Sequence, residues 1–145
     1  INAMVEEFRR QDPVPAVVTP VYRLTPQTIH NPAVVKTLLA HDGRALYFSR
    51  SAIPHVRDVN PELWHEHTDY WGHVGMYGFR GDVLAMWDQL PTSPLEDVER
   101  LEQLRLIEAG LTIATFQVEG TSLSVDTSEQ LEQARNLLRE GGPSR

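Results

Sequence analysis

A chain of 145 residues, 41% hydrophobic and 23% charged, carries enough apolar material for one folded domain with a sizeable core. Its net charge of −7 argues against a nucleic-acid partner, because neutralising phosphates needs a basic face. No apolar run is long enough for a helical membrane span, and with no cysteine there are neither disulfides nor thiolate metal sites, a composition that suits the cytoplasm.

Ile1, Met4, Val5 and Phe8 fall on one helical face and predict an amphipathic helix over Ile1–Gln11, stopped by Asp12-Pro13. Only Asn2 offers a cap nearby, so the chain reads as starting inside a helix and as part of something longer. Ala16–Leu24 is a β-branched run; Pro20 inside it predicts an edge strand or a bulge. After a turn-rich Thr25–Pro32, Ala33–Leu39 and Ala45–Ser49 predict two strands joined by His41-Asp42-Gly43-Arg44, where Asp-Gly signals a hairpin. Ser51–Asp69 is a long polar loop, and loops of that length are commonly functional, mobile or part of an interface. Tyr70–Phe79 reads as one strand carrying Gly75 and Gly78, and Asp82–Gln89 as a short helix. Ser93-Pro94-Leu95-Glu96 combines a serine cap, proline in the first turn and a glutamate three after the cap, predicting a helix to Ala109 that stops at Gly110. Leu111–Val118 is a strand, and Thr127–Arg139 a last helix. The alternation of the two element types predicts an α/β fold, a mixed sheet with flanking helices.

Several side chains in this frame could carry chemistry. All the basic residues except Lys36 are arginine, the residue suited to bidentate capture of carboxylate or phosphate. Arg50 follows directly on the predicted strand Ala45–Ser49, and Arg57 lies three after Pro54; the pair either holds an anion or is ordinary solvated charge. His73, Gly75 and Tyr77 would share one face of a strand, a polar shelf for a sugar or a site of cross-strand packing. Taking Leu95, Val98, Leu101 and Leu104 as an inward helical stripe puts Glu102 on its edge, with Gln103 beside it; together they could read hydroxyls, or Glu102 could simply reach water. Asp126 precedes the last helix as a cap or, if Thr127 caps, as a ligand for a hard cation. His55, His65, His67 and His73 have no recognised metal-ligand spacing. Phosphate-loop, dinucleotide-loop and nucleophile-elbow motifs are missing from these residues.

Six stretches in order, Asn31-Pro-Ala-Val-Val-Lys36, Ala45-Leu-Tyr-Phe-Ser-Arg-Ser-Ala-Ile-Pro54, His73-Val-Gly-Met-Tyr-Gly-Phe-Arg80, Ser93-Pro-Leu-Glu96, Leu101-Glu-Gln-Leu-Arg105 and Val125-Asp-Thr-Ser-Glu-Gln-Leu131, resemble the C-terminal part of the CMP-Kdo synthetases, 3-deoxy-manno-octulosonate cytidylyltransferases. The resemblance implies a Rossmann-like nucleotidyltransferase fold and, for the full-length protein, transfer of CMP from CTP to the anomeric hydroxyl of Kdo with release of pyrophosphate, for lipopolysaccharide synthesis. It further implies Mg2+ as cofactor, a homodimer, and neither a nucleic-acid nor a membrane partner. By this resemblance Arg50 and Arg57 face the acid sugar or the phosphates; His73, Gly75, Tyr77, Glu102 and Gln103 line the sugar pocket; and Asp126 is one of two metal-holding aspartates. The family's basic nucleotide loop and its other acidic motif are expected upstream of Ile1, leaving residues 1–145 as a sugar-binding and dimerisation portion, inactive alone. Ser124 departs from the glycine common in the family, which touches the metal loop. A cytidylyltransferase for another acid sugar, or a non-catalytic module binding an anionic sugar, are the alternatives.

Overall fold

In the computed structural model, residues 1–119, 131–132 and 135–136 are described. Six strands form one sheet in the order β3-β2-β4-β1-β5, with β6 on the other side of β1. They are β1 (Val17–Arg23), β2 (Lys36–Leu39), β3 (Ala45–Ser49), β4 (Trp71–His73), β5 (Gly78–Phe79) and β6 (Ile113–Gln117). Helix α1 spans Asn2–Arg10, α2 Gly81–Ala85, α3 Pro94–Glu99 and α4 Gln103–Glu108.

β1 is the centre of the sheet, parallel to β6 and antiparallel to β4 and β5. Because side chains alternate along a strand, Val17 and Ile113 pack under α4 with Phe48, Leu104 and Leu106, while Val18 and Ala114 face α1 through Met4. Burial on both faces is why the stretch reads as a continuous apolar run rather than an alternating one. The expectation that Pro20 marks an edge or bulge is therefore corrected. Its absent N–H falls in the gap between β4 and β5, where residues 74–77 leave the ladder; Val74 N–H still donates to the Pro20 carbonyl at 3.1 Å. The neighbouring Thr19 hydroxyl supplies the donor there, bonding the Met76 carbonyl at 2.8 Å. Tyr70–Phe79 is accordingly two short strands and not one.

The hairpin β2–β3 forms as expected, with Gly43 at φ +84° in its turn, a conformation that glycine adopts without penalty. Within Ser51–Asp69, a 3-10 turn at Pro61–Glu66 buries Trp64 among Tyr22, Leu24, Ile29 and Tyr70. His30 and His55 pack against that indole at 5.2 and 4.8 Å between ring centres. His55 thus serves a small satellite core, and among the described residues no cluster of three or more acidic or histidine side chains fits a metal ion.

The helix predicted over residues 94–109 is broken. Ser93 caps α3 as expected, its hydroxyl accepting from Glu96 N–H at 2.9 Å, but Arg100 turns left-handed at φ 57°. Arg50 causes the break: its Nε donates to the Glu99 carbonyl at 2.9 Å, and Glu99 in turn accepts from Ser49 Oγ and Arg50 N–H. A helix-ending carbonyl satisfied by a tertiary donor no longer needs another turn. The stripe is reset as a result. Val98 is 82% exposed, whereas Leu101, Gln103, Leu104 and Leu106 are buried. The predicted last helix lies largely outside the described residues.

Candidate functional site

The break and the gap between β4 and β5 meet at one cleft of about 310 Å3. Its wall is Ala33–Val35 and Leu101; its polar groups come from Tyr22, Arg50, His73, Tyr77 and Gln103. A second, mainly apolar cavity of about 230 Å3 adjoins it across Tyr77 and Gln103 and is bounded by Phe79, Leu84, Trp87, Glu102 and Leu106.

Arg50 is half-buried and tied at two points, Nε to the Glu99 carbonyl and Nη1 to the Pro32 carbonyl at 3.2 Å. Both anchors are neutral oxygens. Among the described residues it forms no ion pair and Nη2 has no partner, so its charge remains available to the cleft. Lys36 holds this arrangement from behind: fully buried, its ammonium donates to the carbonyls of Asn31, Val34 and Arg50. Burial, aided by the Arg50 charge and opposed by Glu99, lowers its pKa to about 8.

His73 ends β4, with its ring edge-on to Phe48 at 4.9 Å and 5.3 Å from Tyr77. Burial pushes it down to about 4, which leaves the imidazole neutral near pH 7. Burial and the Glu102 charge push the Tyr77 phenol well up, so it remains a donor. A Cβ built on Gly75 meets nothing within 4 Å, so this part of the wall opens toward the cleft. Gln103 is 5% exposed and its Nε2 is buried without a hydrogen-bond partner among the described residues. Buried polar groups rarely stay unpaired, and each such group costs about 1–3 kcal/mol, which makes this amide, on the lining of both cavities, a candidate partner for a ligand oxygen.

Six of the expected residues thus come together: Arg50, His73, Gly75, Tyr77 and Gln103 line the cleft, and Glu102 stands exposed on the rim of the adjoining cavity. The shelf of His73, Gly75 and Tyr77 exists, but as a strand end followed by irregular chain, not as one strand face. Arg57 does not join them. Its side chain is 89% exposed and, among the described residues, pairs only with Asp58 at 3.2 Å, because the turn after Pro54 carries it outward. Asp126 lies outside the described residues. Sequence reasoning missed Lys36, Glu99 and Thr19 as parts of the site; the lone lysine within an apolar run was a signal for the first, and nothing distinguished the other two.

The architecture has counterparts. Residues 1–113 match the cytidylyltransferase family. The chain belongs to that family. It is 43% identical to the 3-deoxy-manno-octulosonate cytidylyltransferase of Chlorobaculum tepidum over 97% of this chain and 56% of that protein. With the cytidylyltransferase of the same description from Escherichia coli it shares 42% identity over 89% of this chain and 50% of that protein. A solved structure, CMP:2-keto-3-deoxy-manno-octonic acid synthetase complexed with CTP, superposes with a TM-score of 0.84 at 39% identity, covering 95% of this chain and 54% of that one. This cytidylyltransferase chain therefore spans about half the length of the relatives it matches, and the mixed α/β fold is theirs. No described helix is long and apolar enough to cross a membrane.

Proposed function

We propose that the whole protein joins CMP from CTP to the anomeric hydroxyl of Kdo, the hydroxyl oxygen forming a bond to the α-phosphorus as pyrophosphate leaves. This chain supplies the sugar-facing portion, and the nucleotide-facing portion comes from sequence outside these residues. The observation that carries the reading is the pairing, in one cleft of about 310 Å3, of a guanidinium and a buried amide nitrogen, the first without an acidic partner and the second without any partner among the described residues. A carboxylated, polyhydroxylated ligand answers both. Arg50 takes the carboxylate through Nη2, while Gln103, the Tyr77 phenol and His73 bind hydroxyls, and Glu102 accepts from a hydroxyl at the rim. Relatives described as 3-deoxy-manno-octulosonate cytidylyltransferases support that choice of acid sugar.

Mg2+ belongs to this proposal through Asp126 alone. The described residues do not form a donor set that fits it, so no step is routed through a metal. A cytoplasmic homodimer is proposed on the resemblance; sedimentation of the whole protein tests the dimer.

The proposal is tested by pyrophosphate release from the whole protein given CTP and Kdo. Arg50→Lys is expected to raise the KM for Kdo by roughly 10- to 100-fold, the worth of a charge-assisted hydrogen bond, with the KM for CTP little changed. Arg57→Ala should alter neither, and Asp126→Ala should abolish Mg2+-dependent release. No release with Kdo, or equal effects of Arg50→Lys on both substrates, would refute the assignment.

A further inference from the structure

Thr19, fully buried in the middle of β1, makes three contacts through one hydroxyl. Its Oγ1 lies 2.8 Å from the Met76 carbonyl oxygen, 3.3 Å from that of Val74 and 3.0 Å from His73 Nε2. A hydroxyl has one hydrogen, and a carbonyl oxygen only accepts. The 2.8 Å contact therefore takes the hydrogen, and toward the ring Oγ1 can act only as an acceptor. His73 Nε2 must then carry a proton. In a neutral imidazole this leaves Nδ1 with a lone pair and nothing to donate.

We propose that Thr19 is a positioning residue that holds His73 in the Nε2–H tautomer, so that the ring offers the cleft a hydrogen-bond acceptor and neither a donor nor a positive charge. Nδ1 has no partner among the described residues, and His73 lines the cleft. The depressed pKa of the buried ring, about 4, agrees with its neutrality. The inference deepens the acid-sugar reading and rests on it for the identity of the ligand. It divides the labour inside the cleft: His73 accepts from a sugar hydroxyl, and the carboxylate is left to Arg50. It also gives Thr19-Pro20 a reason as a pair. Proline removes the backbone donor at the point where the Val74 and Met76 carbonyls approach, the threonine hydroxyl replaces it, and that replacement fixes the direction of the bond to His73.

Long-range proton–nitrogen correlation spectra of the 15N-labelled whole protein at pH 7 test this directly. The expected pattern for His73 is a protonated Nε2 and an unprotonated Nδ1. Thr19→Val removes the acceptor, so the Nδ1–H form should appear and the KM for Kdo should rise about tenfold, the upper range for one neutral hydrogen bond, with the KM for CTP unchanged. Thr19→Ser should restore both readouts. A wild-type spectrum showing Nδ1–H or imidazolium overturns the proposal, and that measurement requires no variant to fold. An unchanged tautomer and KM in Thr19→Val would overturn it as well. An Nε2–H spectrum in a protein that does not turn over Kdo would refute the substrate reading and leave the tautomer assignment standing.

Discussion

Replacing Gln103 by methionine should make the protein more stable and its sugar binding weaker. Gln103 is 5% exposed, and its Nε2 sits between the two cavities without a partner among the described residues. An unsatisfied buried donor costs the free protein about 1–3 kcal/mol. Methionine has a similar length and flexibility and lacks the donor, so Q103M removes that cost without leaving a void. With roughly 2–4 °C per kcal/mol for a protein of this size class, the melting temperature should rise by about 2–12 °C. The same amide gains its partner only when a ligand oxygen enters, so the substitution removes one hydrogen bond from the complex. That corresponds to about 0.5–1.5 kcal/mol, or a Kd for Kdo roughly two- to tenfold weaker. Thermal melts of the whole protein with and without sugar, together with calorimetric titration, read both quantities. A lower melting temperature with unchanged sugar affinity would refute the reasoning, because it would mean that the amide is already satisfied in the free protein.

Lys36→Met leaves the carbonyls of Asn31, Val34 and Arg50 without their shared donor and should destabilise the protein by roughly 1–3 kcal/mol near neutral pH. The lysine pKa falls from 10.5 to about 8 on folding, so between these values the unfolded chain binds more protons and this group makes stability rise with pH. Denaturant melts should therefore show the wild type gaining on Lys36→Met across that window; a constant difference would contradict the depressed pKa. Gly78→Ala places a Cβ 2.6 Å from Phe8 Cε2 and 2.8 Å from Met4 Sδ, so these side chains of α1 must shift against the sheet, at a cost of about 1–3 kcal/mol. Gly75→Ala, whose Cβ meets nothing, should leave the melting temperature nearly unchanged, and hydrogen exchange within α1 should distinguish the two variants.

Local signals carried much of the fold. The β2–β3 hairpin was legible from Asp42-Gly43, and the start of α3 from Ser93-Pro94-Glu96, because turn and cap chemistry lies within a few residues of itself. The cleft residues Arg50, His73, Gly75, Tyr77 and Gln103 were legible mainly through the resemblance to a family, since their types alone also suit ordinary packing or solvated charge. What failed did so where a distant partner overrode the local pattern. Pro20 reads as an edge residue until the gap between β4 and β5 supplies a place for its missing donor. The stripe through Val98 reads as one helix until Arg50 takes the Glu99 carbonyl and turns the chain at Arg100.

The sequence by itself determined the element types, the central apolar strand and the family, because periodicity, capping and motif order are properties of neighbours along the chain. Only the tertiary structure decided which charges matter. It turned Arg57 out to solvent and left the Arg50 guanidinium without an acidic partner among the described residues, beside a buried amide, and it made Lys36, Glu99 and Thr19 into supports for the site. Those roles depend on hydrogen-bond partners between 2 and 57 positions away in the chain, and the long-range ones exist only once the sheet and its helices have closed around the cleft.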